Sequence, residues 1–142
     1  MLRHARPDEV PQLADIWLRA SLRAHDFIPA DFWESRRDAM ATRHLLAADE
    51  LLVLEVEGRL IGFAALNGET LEALFVDPEV QSYGHGSRLM AEAMARHQRL
   101  TLCVYSRNVR AVSFYRRLGF QIAGERTEPL TGEAETLMVW QR

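Results

Sequence analysis

The amino-acid sequence predicts an α/β fold: one mixed, mostly antiparallel sheet of about seven strands, flanked by about four helices. Three observations lead there. Apolar residues recur at helical spacing in the first third of the chain and then alternate from Leu51 to Val76. Two hairpin signals, Glu57-Gly58 and Asn67-Gly68, join the alternating runs into adjacent antiparallel strands. Helix-like and strand-like stretches then follow one another to the end of the chain. The resulting order, β-α-α-β-β-β-α-β-α-β-β, describes a sheet with helices on its faces.

Residues 2–5 form a short strand that Pro7 ends. Asp8 then caps a helix whose apolar residues Leu13, Ile16, Trp17 and Ala20 fall on one face. His25-Asp26-Phe27-Ile28-Pro29 breaks it, and a second helix is expected over 29–47 with Pro29 in its first turn. Strands follow over 51–57, 60–66 and 71–76, the last stopped by Asp77-Pro78. A helix opening near Gly84 carries Leu89, Met90, Ala93 and Met94 on its apolar face. Residues 100–105 read as a strand. Ala111, Val112, Phe114, Tyr115 and Leu118 form a helical stripe that Gly119 terminates. Strands over 120–126 and 135–140, joined around Thr131-Gly132, close the sheet. Nothing marks a repeat or a Gly/Ser linker, so 1–142 is expected to be a single domain.

Composition narrows the function. Seventeen basic and 20 acidic residues give a net charge of −3, a poor match to nucleic acid, which calls for a basic face. All the basic residues are Arg; the chain has no Lys. At this length about two thirds of the unfolded surface can be buried, so no metal or disulfide staple is needed. The one cysteine, Cys103, cannot form an internal disulfide and reads as a small buried hydrophobe rather than a catalytic thiol. The histidines 4, 25, 44, 85 and 97 lack ligand spacing, so no metal site is expected. No targeting or membrane-spanning segment is visible, and a cytoplasmic protein without membrane partners is expected.

The stretch Val76-Asp77-Pro78-Glu79-Val80-Gln81-Ser82-Tyr83-Gly84-His85-Gly86-Ser87 is the most informative. A strand ends and a helix opens at paired glycines. Successive backbone N–H groups there, with the positive end of the helix dipole, make a cradle for a phosphate or pyrophosphate. Leu89 stands where a dinucleotide fingerprint wants a third Gly, and a P-loop needs a Lys that the chain lacks. By itself a Gly-x-Gly helix start is equally a simple tight turn.

Two motifs together resolve the ambiguity. Gln81-x-x-Gly84-x-Gly86 after Asp77-Pro78 resembles the acyl-CoA-binding motif of the GCN5-related N-acetyltransferase (GNAT) family. Asn108-x-x-Ala111-x-x-Phe114-Tyr115-x-x-x-Gly119-Phe120 resembles that family's second motif, and the order of elements matches its fold. Within the family, His25-Asp26-Phe27, Ala73-Leu74-Phe75-Val76-Asp77-Pro78 and Ala111-Val112-x-Phe114-Tyr115 resemble the small bacterial subgroup typified by YjaB.

The resemblance implies acetyl transfer from acetyl-CoA directly to a primary amine of a small molecule, peptide or protein. A domain that binds acyl-CoA as a sensor without transferring it is the alternative. The strand Leu74-Phe75-Val76 would pair with the pantetheine arm, and the N–H groups from Gln81 through Ser82, Tyr83, Gly84, His85 and Gly86 to Ser87 would hold the pyrophosphate. Asn108, Ala111 and Phe114 complete the implied cofactor contacts, Asn108 either touching CoA or tying the helix start. Tyr115 is the candidate acid for the departing thiolate: a phenol near pKa 10 is protonated at neutral pH. The plainer reading of Tyr115 is an aromatic core residue. Two residues compete as base. Glu72 shares the face of Leu74 and Val76 if the strand alternates regularly, where burial would raise its pKa; a splayed strand end would leave it solvated instead. His25 titrates near neutrality and lies in the break beside the expected acceptor pocket, though a loop histidine is equally a solvated or capping group. Phe27, Phe32, Trp33 and the 127–134 turn are expected to wall that pocket, and a monomer or homodimer is compatible with the sequence.

Overall fold

The structure, a computed structural model, describes residues 1–81 and 83–142. Seven strands form one sheet: β1 (Leu2–His4), β2 (Glu50–Val56), β3 (Arg59–Asn67), β4 (Thr70–Val76), β5 (Arg99–Tyr105), β6 (Gln121–Thr127) and β7 (Ala134–Gln141), in the order β1-β2-β3-β4-β5-β7-β6. Every neighbouring pair is antiparallel except β4 and β5, which run parallel and bridge at Thr70 and Thr101. The expected sheet is therefore found, with the third hairpin closing around residues 128–133.

Helices cover both faces. On one side α4 (His85–Arg96) and α5 (Val109–Arg117) bury Leu89, Met90, Ala93 and Tyr115 against Leu54, Ala64, Leu102 and Met138. On the other, α1 (Val10–Ala24) packs Leu13, Ala14, Ile16 and Trp17 on Val53, Phe63, Ala65 and Ala73. Each buried leucine-sized side chain contributes about 1.5–3 kcal/mol, so these two apolar layers provide most of the drive to fold.

Three expectations need correction. Asp8 does not cap α1: it is exposed in a 3₁₀ turn at Pro7–Glu9, and Glu9 instead accepts the Arg6 backbone N–H at 2.8 Å. The helix expected over 29–47 is broken into α2 (Ala30–Glu34) and α3 (Arg37–Ala39), the latter running into a π-helical turn at Met40–Leu45. Arg36, at φ −103° and ψ 2°, interrupts the first piece. Met40 and Leu45 are five residues apart and both buried, and the wider π turn brings them nearer to one face than a regular α-helix does. Cys103 is exposed, not buried. In β5 the side chains of Leu100, Leu102 and Val104 take the face under α4 and α5, so strand alternation turns Cys103 to the opposite face.

Two buried carboxylates fasten the layers. Glu9 receives both terminal nitrogens of Arg3, at 2.9 and 2.7 Å, tying β1 to the start of α1. Asp77, only 3% exposed, receives a two-pronged contact from Arg19 of α1 at 2.9 and 3.1 Å and a third from Arg59 at 3.0 Å. The Arg3 guanidinium, outweighing the cost of burial, draws the Glu9 pKa down to about 2. Arg19 acts in the same sense on Asp77, holding it well below the usual carboxylate range. Carboxylates that ionise more readily in the folded state stabilise it above their unfolded pKa and lose that contribution as pH falls through the folded one. The urea midpoint is expected to fall between about pH 4.5 and about pH 2 as Glu9 protonates. Glu9→Gln should lower the midpoint at pH 7 and flatten its decline over that window; a variant with the wild-type profile would contradict the assignment.

Candidate active site

The sheet opens where β4 and β5 part. Asp77 N–H donates to the Ile61 carbonyl at 2.8 Å, and the register continues with Val76 opposite Gly62 and Phe75 opposite Phe63. Antiparallel ladders alternate bonded and non-bonded pairs, so Phe75 is bonded to β3. The backbone groups of Leu74 and Val76 are turned the other way, into the gap. A cleft of about 660 Å³ occupies this gap and is lined by Leu74, Phe75 and Val76.

The glycine loop forms one wall. Gln81, Gly84, His85, Gly86 and Ser87 all line the cleft. The Gln81 side chain donates to the Val76 carbonyl at 3.2 Å, folding the loop back on β4. Gly84 sits at φ +80° as the residue before α4, a conformation that costs an L-residue about 1–2 kcal/mol. A Cβ on Gly86 would stand 3.4 Å from Cζ of Phe114, so glycine lets that ring close against the helix start. The first N–H groups of α4 have no partner within the helix and are available to an anion. Tyr83 is not among the residues lining the cleft; its side chain is exposed, the ring 6.1 Å from that of His85. Ser82 lies outside the described residues.

Helix α5 forms the opposite wall with Asn108, Ala111, Phe114 and Tyr115. Asn108 caps it, its Oδ1 accepting the Ala111 N–H at 3.2 Å. That leaves the amide nitrogen to face Nε2 of His25, 3.2 Å away, so the bonding assigns the imidazole proton to Nδ1. Tyr115 is 8% exposed, packed between Phe114 and Phe120, and burial pushes its hydroxyl well above the ordinary phenol pKa.

His25 also lines the cleft, from the end of α1. It is 6% exposed, and burial lowers its pKa to about 4, so the ring is neutral at physiological pH. Aromatic rings surround it: Trp33 is stacked at 5.0 Å, while Tyr105 and Phe27 approach edge-on at 5.2 and 5.8 Å. Trp33 is buried behind His25 and does not wall the cleft itself; Phe27 and Phe32 are partly buried in the same layer. Glu72 is brought to neither wall. The β3–β4 register slips between Ala65 opposite Ala73 and Leu66 opposite Leu71, leaving Glu72 as the extra residue of a β-bulge. It is exposed, so the buried setting that regular alternation offered it is not realised.

Several contributors escaped the sequence reading. Arg19 and Arg59 fix Asp77 at the end of β4 and thereby the start of the glycine loop. Tyr105 completes the ring cluster. Arg107 precedes the α5 cap and reaches toward the 128–133 turn. Their partners are distant along the chain, so no local pattern in the sequence marked them.

Comparison with known proteins decides the family. A model of the acetyltransferase (GNAT) domain matches residues 47–122. The chain belongs to the GNAT family. The peptidyl-lysine N-acetyltransferase YiaC of Escherichia coli K12 is 33% identical over 141 residues, covering 99% of this chain and 96% of that protein. The peptidyl-lysine N-acetyltransferase YjaB of the same organism is 32% identical over 87% of this chain and 83% of its own length. The solution structure of apo YjaB superimposes with a TM-score of 0.86 at 29% identity, covering 99% and 96% of the two chains. The fold is shared further afield with the PaiA N-acetyltransferase of Thermoplasma acidophilum in complex with coenzyme A, at TM-score 0.79 and 16% identity over 100% of this chain and 98% of that one. The protein is thus an acetyl-CoA-dependent N-acetyltransferase, and the cleft has what a pyrophosphate needs: an αL glycine, a helix start and no side chain at Gly86.

Gly84→Ala is expected to raise the KM for acetyl-CoA several-fold through backbone strain, and Gly86→Val by tenfold or more by driving Phe114 off the loop. Steady-state kinetics with varied acetyl-CoA check both. Unchanged KM values in folded variants would remove the loop from the binding site.

Proposed function

We propose that the cleft between β4 and β5 binds acetyl-CoA with its pyrophosphate on the 84–87 loop and its pantetheine arm along Leu74 and Val76. The backbone groups those residues turn into the gap would pair with the arm as a further strand does, and an N–H among them would stabilise the negative charge that grows on the thioester oxygen. The acceptor nitrogen attacks the carbonyl, the C–S bond breaks, and Tyr115 gives its proton to the departing sulfur. Burial keeps the phenol protonated until the sulfur takes its charge, and a thiolate leaving into the same desolvated cleft has its own pKa raised in the same sense, so it can take the proton. The phenolate recovers a proton from the product or solvent, so the cycle is balanced.

Transfer is read as direct. Cys103 faces away from the α4–α5 layer, and partial desolvation of its sulfur together with Glu135 and Glu72 outweighs Arg126 to raise its pKa, opposing thiolate formation. His25 is read as a neutral group that orients Asn108 and backs the acceptor side. Its Nε2 lone pair already accepts a hydrogen bond, which disfavours it as base. Glu72, on its exposed bulge, would accept the acceptor's proton only through water.

The acceptor is read as the side-chain amine of lysine in a peptide or protein. Relatives that are 31–33% identical over 87–99% of this chain carry that activity in their names. The 128–133 turn brings Glu128 and Glu133 close to Tyr105, alongside Glu135 of β7, an acidic setting suited to an ammonium group. A reducing compartment such as the cytoplasm agrees with the single exposed thiol, and none of the described helices is long and apolar enough to cross a membrane.

The buried Tyr115 hydroxyl at the cleft is the observation that carries this reading, since a sensor has no use for a proton donor there. Tyr115→Phe is expected to lower kcat about 10²-fold while leaving acetyl-CoA affinity within a factor of two, as read by thiol release and by calorimetry. A variant with wild-type kcat would move the acid elsewhere.

A further inference from the structure

Arg107 stands in an unusual position. It lines the cleft, immediately ahead of the α5 cap, yet among the described residues its guanidinium contacts lie on the far side from the glycine loop's helix, at Glu133 and Phe27. Its Nε lies 3.3 Å from Oε1 of Glu133 in the 128–133 turn, and its guanidinium carbon lies 5.4 Å from the centroid of the Phe27 ring, between α1 and α2. The side chain therefore spans the two loops on the acceptor side. Phe27 is continuous with the ring cluster of His25 and Tyr105, 5.8 and 5.9 Å from it.

A carboxylate beside the face of an aromatic ring is a site for a cation. We propose that Arg107 is an internal stand-in for the acceptor's ammonium group: it occupies a cation site made by Phe27 and Glu133, and an incoming lysine side chain must displace it. The proposal rests on the acceptor being cationic, as read above, and assigns the residue that sets how tightly it binds.

The energetics suit a displaceable occupant. The Arg107 side chain is 65% exposed, and ion pairs that open to water are worth no more than about one power of ten in affinity and commonly less. An arginine is also chemically safe at this place. Its guanidinium stays protonated at any physiological pH and offers no nucleophilic nitrogen to the thioester, whereas a lysine would be an acceptor itself. The chain contains no lysine at this or any other position.

The test measures acceptor binding separately from turnover. Nα-acetyl-lysine methylamide is titrated into the wild-type protein, Arg107→Ala, Glu133→Gln and the double variant by calorimetry, and the KM of a lysine-containing peptide is measured alongside. Arg107→Ala should bind the probe about three- to fivefold more tightly and lower the peptide KM by the same factor, both measured at saturating acetyl-CoA. Glu133→Gln should weaken probe binding, and the double variant should lose the gain. Unchanged or weaker binding in Arg107→Ala, or no binding of the probe to any of the four proteins, overturns the proposal. Should the calorimetric ranking hold while no lysine peptide is turned over, the lysine acetylation reading fails and the cation site stands. Should Arg107→Ala not fold, Arg107→Gln makes the same comparison, with the same results for and against.

Discussion

The function of this protein depends on a sheet that is one ladder short. β4 and β5 are neighbours, but their parallel pairing is confined to Thr70 and Thr101, and beyond that bridge the strands part. Unpaired backbone groups inside a protein are costly, so a sheet does not open without compensation. Here the compensation comes from both sides. The Gln81 amide satisfies the Val76 carbonyl, and the start of α5 is capped by Asn108 where it enters the gap. What remains is a strand edge facing a cleft, with a helix N-terminus at one end and a buried phenol across from it. A substrate that carries an amide-rich arm, a pyrophosphate and a thioester would find a partner for each part.

An opening of this kind is useful only if its walls are held in register, and that is the work of Asp77. Its carboxylate ends β4, caps the following 3₁₀ turn through the Glu79 N–H at 3.0 Å, and binds Arg19 from α1 and Arg59 from β3. One buried group thus fixes the start of the glycine loop against the helix whose far end carries His25. Arg19, Arg59 and Asp77 are not among the residues that line the cleft, so the network orders the start of the loop from outside it. A buried charge left with one partner removed is strongly destabilising, so this clamp gains rigidity at the cost of tolerance to substitution.

Much of the fold was legible because its signals are local. Asn67-Gly68 and Glu57-Gly58 specify hairpins through the backbone conformations that their own residues adopt, and Gly119 ends α5 at φ +103° for the same reason. The glycine loop and the Asn108 cap were legible as well, since a helix start announces itself within a few residues. Other features depend on contacts far along the chain. The bulge at Glu72 follows from how β3 and β4 slip past one another, and a regular alternation gives no hint of it. The exposure of Cys103 depends on which face the helices choose. The Arg19–Asp77 clamp joins residues 58 apart, and Asn108 reaches His25 across 83. Polar partners at such separations leave no period in the sequence, so these residues could be counted but not connected.

His25 and Tyr115 show why burial matters more here than charge. Desolvation disfavours the charged form of both, lowering the imidazole pKa and raising that of the phenol. Both groups are therefore neutral across the whole physiological range, and neither changes its charge as the cell's pH drifts. A neutral imidazole can receive the Asn108 amide, and a neutral phenol can keep a proton for sulfur. The same apolar surroundings that suit these roles make the cleft a poor place for a free ammonium ion. Desolvation there lowers an amine's pKa and favours the uncharged form that attacks a thioester, while the carboxylates of the 128–133 turn favour the charged form on arrival. On the proposed path, an acceptor passing from Glu133 inward toward Tyr115 would go from a setting suited to a cation to one that favours its loss of a proton, and the gradient between them would come from the chain's own burial.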